Sequence, residues 1–221
     1  MTPAVLRYAI VLITAGGIAL LSAPAAAFGQ ERDCSVPERF YTFEPLLPKT
    51  AKALGSGRDV VIAALGGAST LGRAAGGTGL AWPARLGSEL ARRFPSARTK
   101  VVNLAVAGQT AKAAAERLDR DVLPLKPTLV IWETGTMEAV HGSDVDEFRE
   151  TVQAGINELR AAGAEVVLMN MQFSRETDVV IHFGPYLIAI RQLADANDVP
   201  RFRRHGIMRH WAENGLLDLG A

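Results

Sequence analysis

The chain has 221 residues, of which 48% are hydrophobic and 21% charged. That supports one sizeable core and excludes both an intrinsically disordered chain and two full domains. Lys and Arg number 24 against 23 Asp and Glu, so no basic excess points to nucleic acid or an anionic membrane.

The first 27 residues read as a secretion signal. Arg7 forms a short positive n-region, residues 8–21 are an apolar stretch shorter than the ~20 residues of a membrane span, and Ala25-Ala26-Ala27 is a small-residue cleavage site. Removing residues 1–27 deletes one Arg and no acid, which leaves 23 positive and 23 negative side chains. The mature chain is expected in the periplasm or outside the cell, with no membrane attachment after cleavage. Its single cysteine, Cys34, excludes a disulfide within the chain.

Residues 28–58 form an irregular N-terminal arm, rich in Pro and Gly, with a helical turn expected near residues 49–54. The domain proper spans 59–221. Its apolar runs at 60–65, 101–104, 129–132 and 166–169 are continuous rather than alternating, as in strands buried on both faces. A weaker run at 199–202 suits an edge strand. Helical patterns separate the runs: 81–94, with Leu86 and Leu90 on one face; 110–123, with Leu118 and Val122 inward; and a stripe of Val145, Phe148, Val152, Ile156 and Leu159. Ser143 is the expected N-cap of that third helix and Gly163 its stop. Two more helices are expected at 185–196 and 207–214. Strand–helix alternation implies a three-layer α/β/α, flavodoxin-like parallel sheet. Ligands then bind at the carboxyl ends of the strands, in the loops 66–79, 105–110, 133–143 and 170–184.

The first of these loops reads Gly66-Gly67-Ala68-Ser69-Thr70-Leu71-Gly72, the second Asn103-Leu104-Ala105-Val106-Ala107-Gly108-Gln109, and the third Gly135-Thr136-Met137. The first is neither a phosphate-binding loop nor a G-x-S-x-G elbow. With Trp82-Pro83-Ala84-Arg85-Leu86, residues 117–125 and Gly206-Ile207-Met208-Arg209-His210-Trp211, the ordered set resembles the SGNH (GDSL-type) ester hydrolase family over most of residues 58–215. The resemblance implies an ester-cleaving site that needs neither metal nor cofactor. A serine of the first block attacks the carbonyl, a glycine N–H of the second and an asparagine of the third hold the oxyanion, and a terminal Asp-x-x-His supplies the base.

This chain departs from that pattern. Alignment on Gly66, Thr70 and Gly72 puts Ala68 at the nucleophile position; a one-residue shift puts Ser69 there and forfeits the Thr70 and Gly72 matches. Met137 replaces the oxyanion asparagine, and a thioether donates no hydrogen bond. Gly108 keeps the second-block position. The closing Asp-x-x-His is absent, so 59–221 reads as C-terminally truncated, with the helix near 207–214 expected to pack poorly. His141 and His182, both in loops on the ligand side, are the candidate substitute bases. The resemblance leaves two readings: a catalytically impaired relative that keeps a pocket for an acyl ester or acylated glycan, and an active carboxylester or carbohydrate esterase using Ser69 with a relocated histidine. The sequence carries no signal of oligomeric state.

Overall fold

The computed structural model describes residues 34–42 and 44–217; the secretion signal expected at 1–27 and the start of the arm lie outside them. The helix α1 (Pro48–Gly55) precedes β1 (Val60–Leu65), followed by α2 (Ala68–Leu71), α3 (Trp82–Arg93), β2 (Thr99–Asn103), α4 (Ala111–Ala115), β3 (Leu129–Glu133), α5 (Thr136–His141), α6 (Val145–Ala161), β4 (Glu165–Met169), α7 (Arg175–Val180), α8 (Gly184–Asn197), β5 (Arg201–Phe202) and α9 (Arg204–Glu213). The strands form one sheet in the order β2-β1-β3-β4-β5, and every pairing is parallel. This is the flavodoxin-like order, whose switch point lies between β1 and β3.

Alternate strand residues face opposite layers. Ala63, Leu65, Val130, Trp132, Val166 and Leu168 pack with α4, α6 and α8, while Val60, Ile62, Leu129, Ile131, Val167 and Met169 pack with α1 and α3. Burial on both sides explains why these runs are apolar throughout. Trp132 is the largest fully buried side chain, and α6 approaches it at Gly155, where a Cβ would lie 2.4 Å from the indole ring. On the opposite face an apolar hollow of about 470 Å³ lies between Leu47, Leu54, Leu86, Leu90 and the sheet, with Trp82 and Arg204 in its wall.

Three local expectations are corrected. The N-cap of α6 is Asp144, whose Oδ1 accepts from the N–H groups of Asp146 and Glu147 at 2.9 Å each, not Ser143; the carboxylate is also the better partner for the positive helix end. The helix expected over 110–123 stops at Ala115 and continues as a π-turn at Leu118–Val122 and a 3-10 turn at Leu123–Leu125, where Pro124 has no N–H to donate to the turn before it. Leu118 and Val122 are nonetheless fully buried. The edge strand is only Arg201–Phe202.

Ile207 and Ala212 of α9 are buried. The arm straps its outer side: Trp211 donates to the Cys34 carbonyl at 3.1 Å, Arg203 to the Arg39 carbonyl at 2.6 Å, and the Phe40 and His210 rings stand 5.9 Å apart. Among the described residues no helix is long and apolar enough to cross a membrane.

Candidate active site

Glu133 closes β3, and its carboxylate gathers the loops around it. Oε2 accepts from the Gly67 N–H at 3.2 Å, the Ser69 hydroxyl at 3.1 Å and the Thr70 hydroxyl at 2.5 Å. Oε1 accepts from Arg204 at 2.9 Å and from the Thr136 hydroxyl at 3.4 Å. Only 4% of the Glu133 side chain and 12% of Arg204 are exposed. The β1–α2 turn can come this close because residue 66 is glycine: a Cβ there would sit 2.5 Å from Glu133 Oε2.

Thr70 accepts from the Trp82 indole N–H at 3.1 Å, and its carbonyl accepts from the Asn103 amide at 2.8 Å. Asn103 Oδ1 in turn accepts from the Ala105 N–H at 3.1 Å. The carboxyl ends of β1, β2 and β3 are thus tied through Thr70, by its hydroxyl and its carbonyl, and through the Glu133 carboxylate, and α9 joins them through Arg204. Burial pushes the Glu133 carboxyl up, but the Arg204 charge and the hydrogen bonds from Thr70, Gly67 and Arg204 outweigh it and hold the group below its ordinary value.

Over this floor lies a cavity of about 90 Å³, lined by Ala68, Ser69, Gly108 and Met137 together with Gln109, Thr134 and Glu133. The structure therefore brings together the four residues singled out from the three loop blocks. It does not bring His141 or His182 to them: both are exposed and neither lines the cavity. The Ser69 hydroxyl donates to Glu133 and accepts from Arg204 at 3.0 Å, and no histidine is hydrogen-bonded to it. His205 is buried between the Phe173 and Phe183 rings, with Nε2 3.2 Å from Asp178 Oδ1. Burial pushes this imidazole down, and Asp178 only partly offsets it.

Glu133, Arg204, Trp82 and Asn103 were not identified as site residues from the sequence. Glu133 did carry a signal, as the one acid ending an apolar strand, since a buried carboxylate requires a partner. Arg204, 71 residues away, carried none.

The model of the non-GDSL lipase-like family matches residues 33–221. No curated protein sequence matches the chain. Among solved structures, a two-domain esterase (CEX) active on acetylated mannans aligns with a TM-score of 0.67 at 20% identity, over 77% of this chain and 44% of that one; the chain thus spans less than half of that esterase. TesA aligns at 0.56 and 21% identity, over 63% of this chain and 76% of TesA. A catalytic mutant of Axe2, an acetylxylan esterase from Geobacillus stearothermophilus, aligns at 0.59 and 19% identity, over 70% and 80%. These likenesses bear out the SGNH-type fold. With the family model matched along the whole of the described chain, the protein belongs to the non-GDSL lipase-like family.

Proposed function

We propose that this protein is an exported, catalytically impaired relative of the SGNH-type ester hydrolases that retains a cleft for a small acyl ester, such as an acetyl group carried on a glycan. The observation that carries this reading is the state of the Ser69 hydroxyl. It donates its proton to a carboxylate already ion-paired with Arg204, and it accepts a hydrogen bond from the same guanidinium. A hydroxyl becomes a useful nucleophile when a base takes its proton; Glu133 is a weakened base because its carboxyl is held below the ordinary value.

Two further residues agree. Ala68, at the N-terminus of α2, offers no nucleophile, and Met137 no oxyanion donor. Loss of one such donor costs about 10²–10³-fold in rate. The small cavity, about 90 Å³, fits a short acyl group better than a long chain. The acetylated polysaccharides named for the structural neighbours are the source of the glycan suggestion.

The test is to assay the mature chain on short-chain activated esters beside a Ser69→Ala variant. We expect turnover far below ~1 s⁻¹, the lower end of ordinary enzymes, and no difference between the two proteins. Turnover above that level that vanishes in Ser69→Ala would establish the active reading, with Ser69 as nucleophile, and His141→Ala and His182→Ala would then identify its base. N-terminal sequencing of the exported protein tests the secretion signal; a first residue near Phe28 is expected.

A further inference from the structure

The two faces of the sheet are covered unequally. On one, α4, α6 and α8 fill the space; on the other, α1 and α3 supply the cover among the described residues, and the hollow of about 470 Å³ stays unfilled beneath them. That volume far exceeds the ~30 Å³ a water occupies in the liquid, whereas close-packed interiors leave few voids larger than one water. Its floor is buried Ile131, Val167 and Met169, and its rim is half-buried Leu47, Leu86 and Leu90. The surface is apolar throughout: even Thr50 and Arg204 present only carbon to it. Trp82, Leu86 and Leu90, each four residues from the next, stack along one face of α3 and give the hollow a length of about 12 Å.

We infer that this hollow is a binding site for one unbranched alkyl chain. A sugar or a peptide would bring hydroxyl or amide groups that find no partner on an apolar wall. A second copy of the protein is disfavoured by size: thirteen described residues line the hollow, against ~20–30 on each side of a stable interface. The volume lies within the ~300–1,000 Å³ of small-molecule sites, and the length and carbon surface suit a methylene chain. The wall also reaches the cleft. Trp82 donates to the Thr70 hydroxyl at 3.1 Å, and Arg204 donates to Glu133 at 2.9 Å and to Ser69 at 3.0 Å. A chain seated in the hollow therefore presses on two side chains that fix the floor of the cleft.

The inference is independent of any ester turnover, because its readout is binding. The full chain is titrated with 1-butanol, 1-hexanol and 1-octanol, by calorimetry and by the resonances of the Trp82 indole N–H and the Gly67 amide. Saturable binding of one octanol is expected, with affinity rising about threefold to fourfold per methylene along the series and shifts at both resonances. Leu90→Trp, which fills the hollow, should abolish binding. Leu86→Gln, which sets an amide in the wall, should weaken it about tenfold or more. The site is refuted by a linear, non-saturating response, by affinity that does not rise with chain length, or by affinity unchanged in both variants. Sedimentation showing a dimer that Leu86→Gln breaks would assign the face to a second copy and overturn the inference as well.

Discussion

Glu133 and Arg204 meet at 2.9 Å, the last residue of β3 against the first of α9, in surroundings that leave 4% and 12% of their side chains exposed. The pair joins the switch-point loops to the final helix, so the cleft and the stability of the fold share one contact. Removing either partner leaves the other charge buried and uncompensated. Glu133→Gln and Arg204→Met should each lower unfolding free energy by about 3–5 kcal/mol. The double variant should lose clearly less than the sum, since the stranded charge is then gone. Urea titrations of the four proteins measure this; additive losses would show that the two side chains are not coupled.

The same pair sets an acid limb. The Glu133 carboxyl is held below its ordinary value in the folded chain, where the Arg204 charge and the hydrogen bonds overcome the upward push of burial. The unfolded state therefore binds more protons at low pH. The stabilisation is fully present above the unfolded value of 4.5 and is lost as pH falls through the lower folded value. Urea midpoints taken from about pH 7 down to about pH 3 should drop in the wild type, and Glu133→Gln should flatten that drop. The exposed acids Asp59, Glu89 and Asp121, also lowered by their arginines, leave a residual slope in the variant, reduced by solvent screening.

Gly155 is where α6 closes on Trp132. A Cβ would lie 2.4 and 2.6 Å from two indole carbons of a side chain that is fully buried. The ring has nowhere to retreat, so overpacking should outweigh the better helix propensity of alanine. Gly155→Ala should cost about 1–3 kcal/mol, read as a lower midpoint in chemical denaturation. A gain in stability would mean that α6 shifts freely on the sheet.

Thr50 is the opposite case. It is 5% exposed, lines the apolar hollow, and its hydroxyl has no hydrogen-bond partner. The helix does not need that hydroxyl, because it is the Thr50 N–H that Glu165 accepts, at 2.8 Å. Thr50→Val should therefore raise stability by about 1 kcal/mol and with it the thermal midpoint. A lower midpoint would show that the hydroxyl is satisfied in solution.

The strands were legible because a parallel sheet buried on both faces demands unbroken apolar runs, and 60–65, 129–132 and 166–169 satisfy that demand almost residue for residue. From them the carboxyl-edge loops followed, and with these the cavity shared by Ala68, Ser69, Gly108 and Met137. What could not be read was pairing across long separations. Ser69 could be proposed as a hydroxyl beside a glycine turn, but its partners lie 64 and 135 residues away, and no local pattern encodes them. The α6 cap was missed by one position because Ser143 and Asp144 are both good caps, and the choice depends on where the loop enters the helix. The short helices α2, α5 and α7 bury too few residues to leave a periodic trace.

The strap of residues 34–42 over α9, together with the reach of Arg204 to Glu133, also fixes the order in which the molecule can be finished. The Trp211–Cys34 bond spans 177 residues and the Arg203–Arg39 bond 164. Loops of that length close late, and contacts that depend on them slow the search for the native state. A chain emerging from its amino end can stack β1 against β2 and β3 early, yet its cleft stays open-floored until residue 204 has emerged. Until then the Glu133 carboxylate lacks its counter-charge and the Ser69 hydroxyl one of its two partners. The helix that the arm covers is thus also the one that supplies Arg204 to the site, and the cleft is complete only when these long-range contacts have closed.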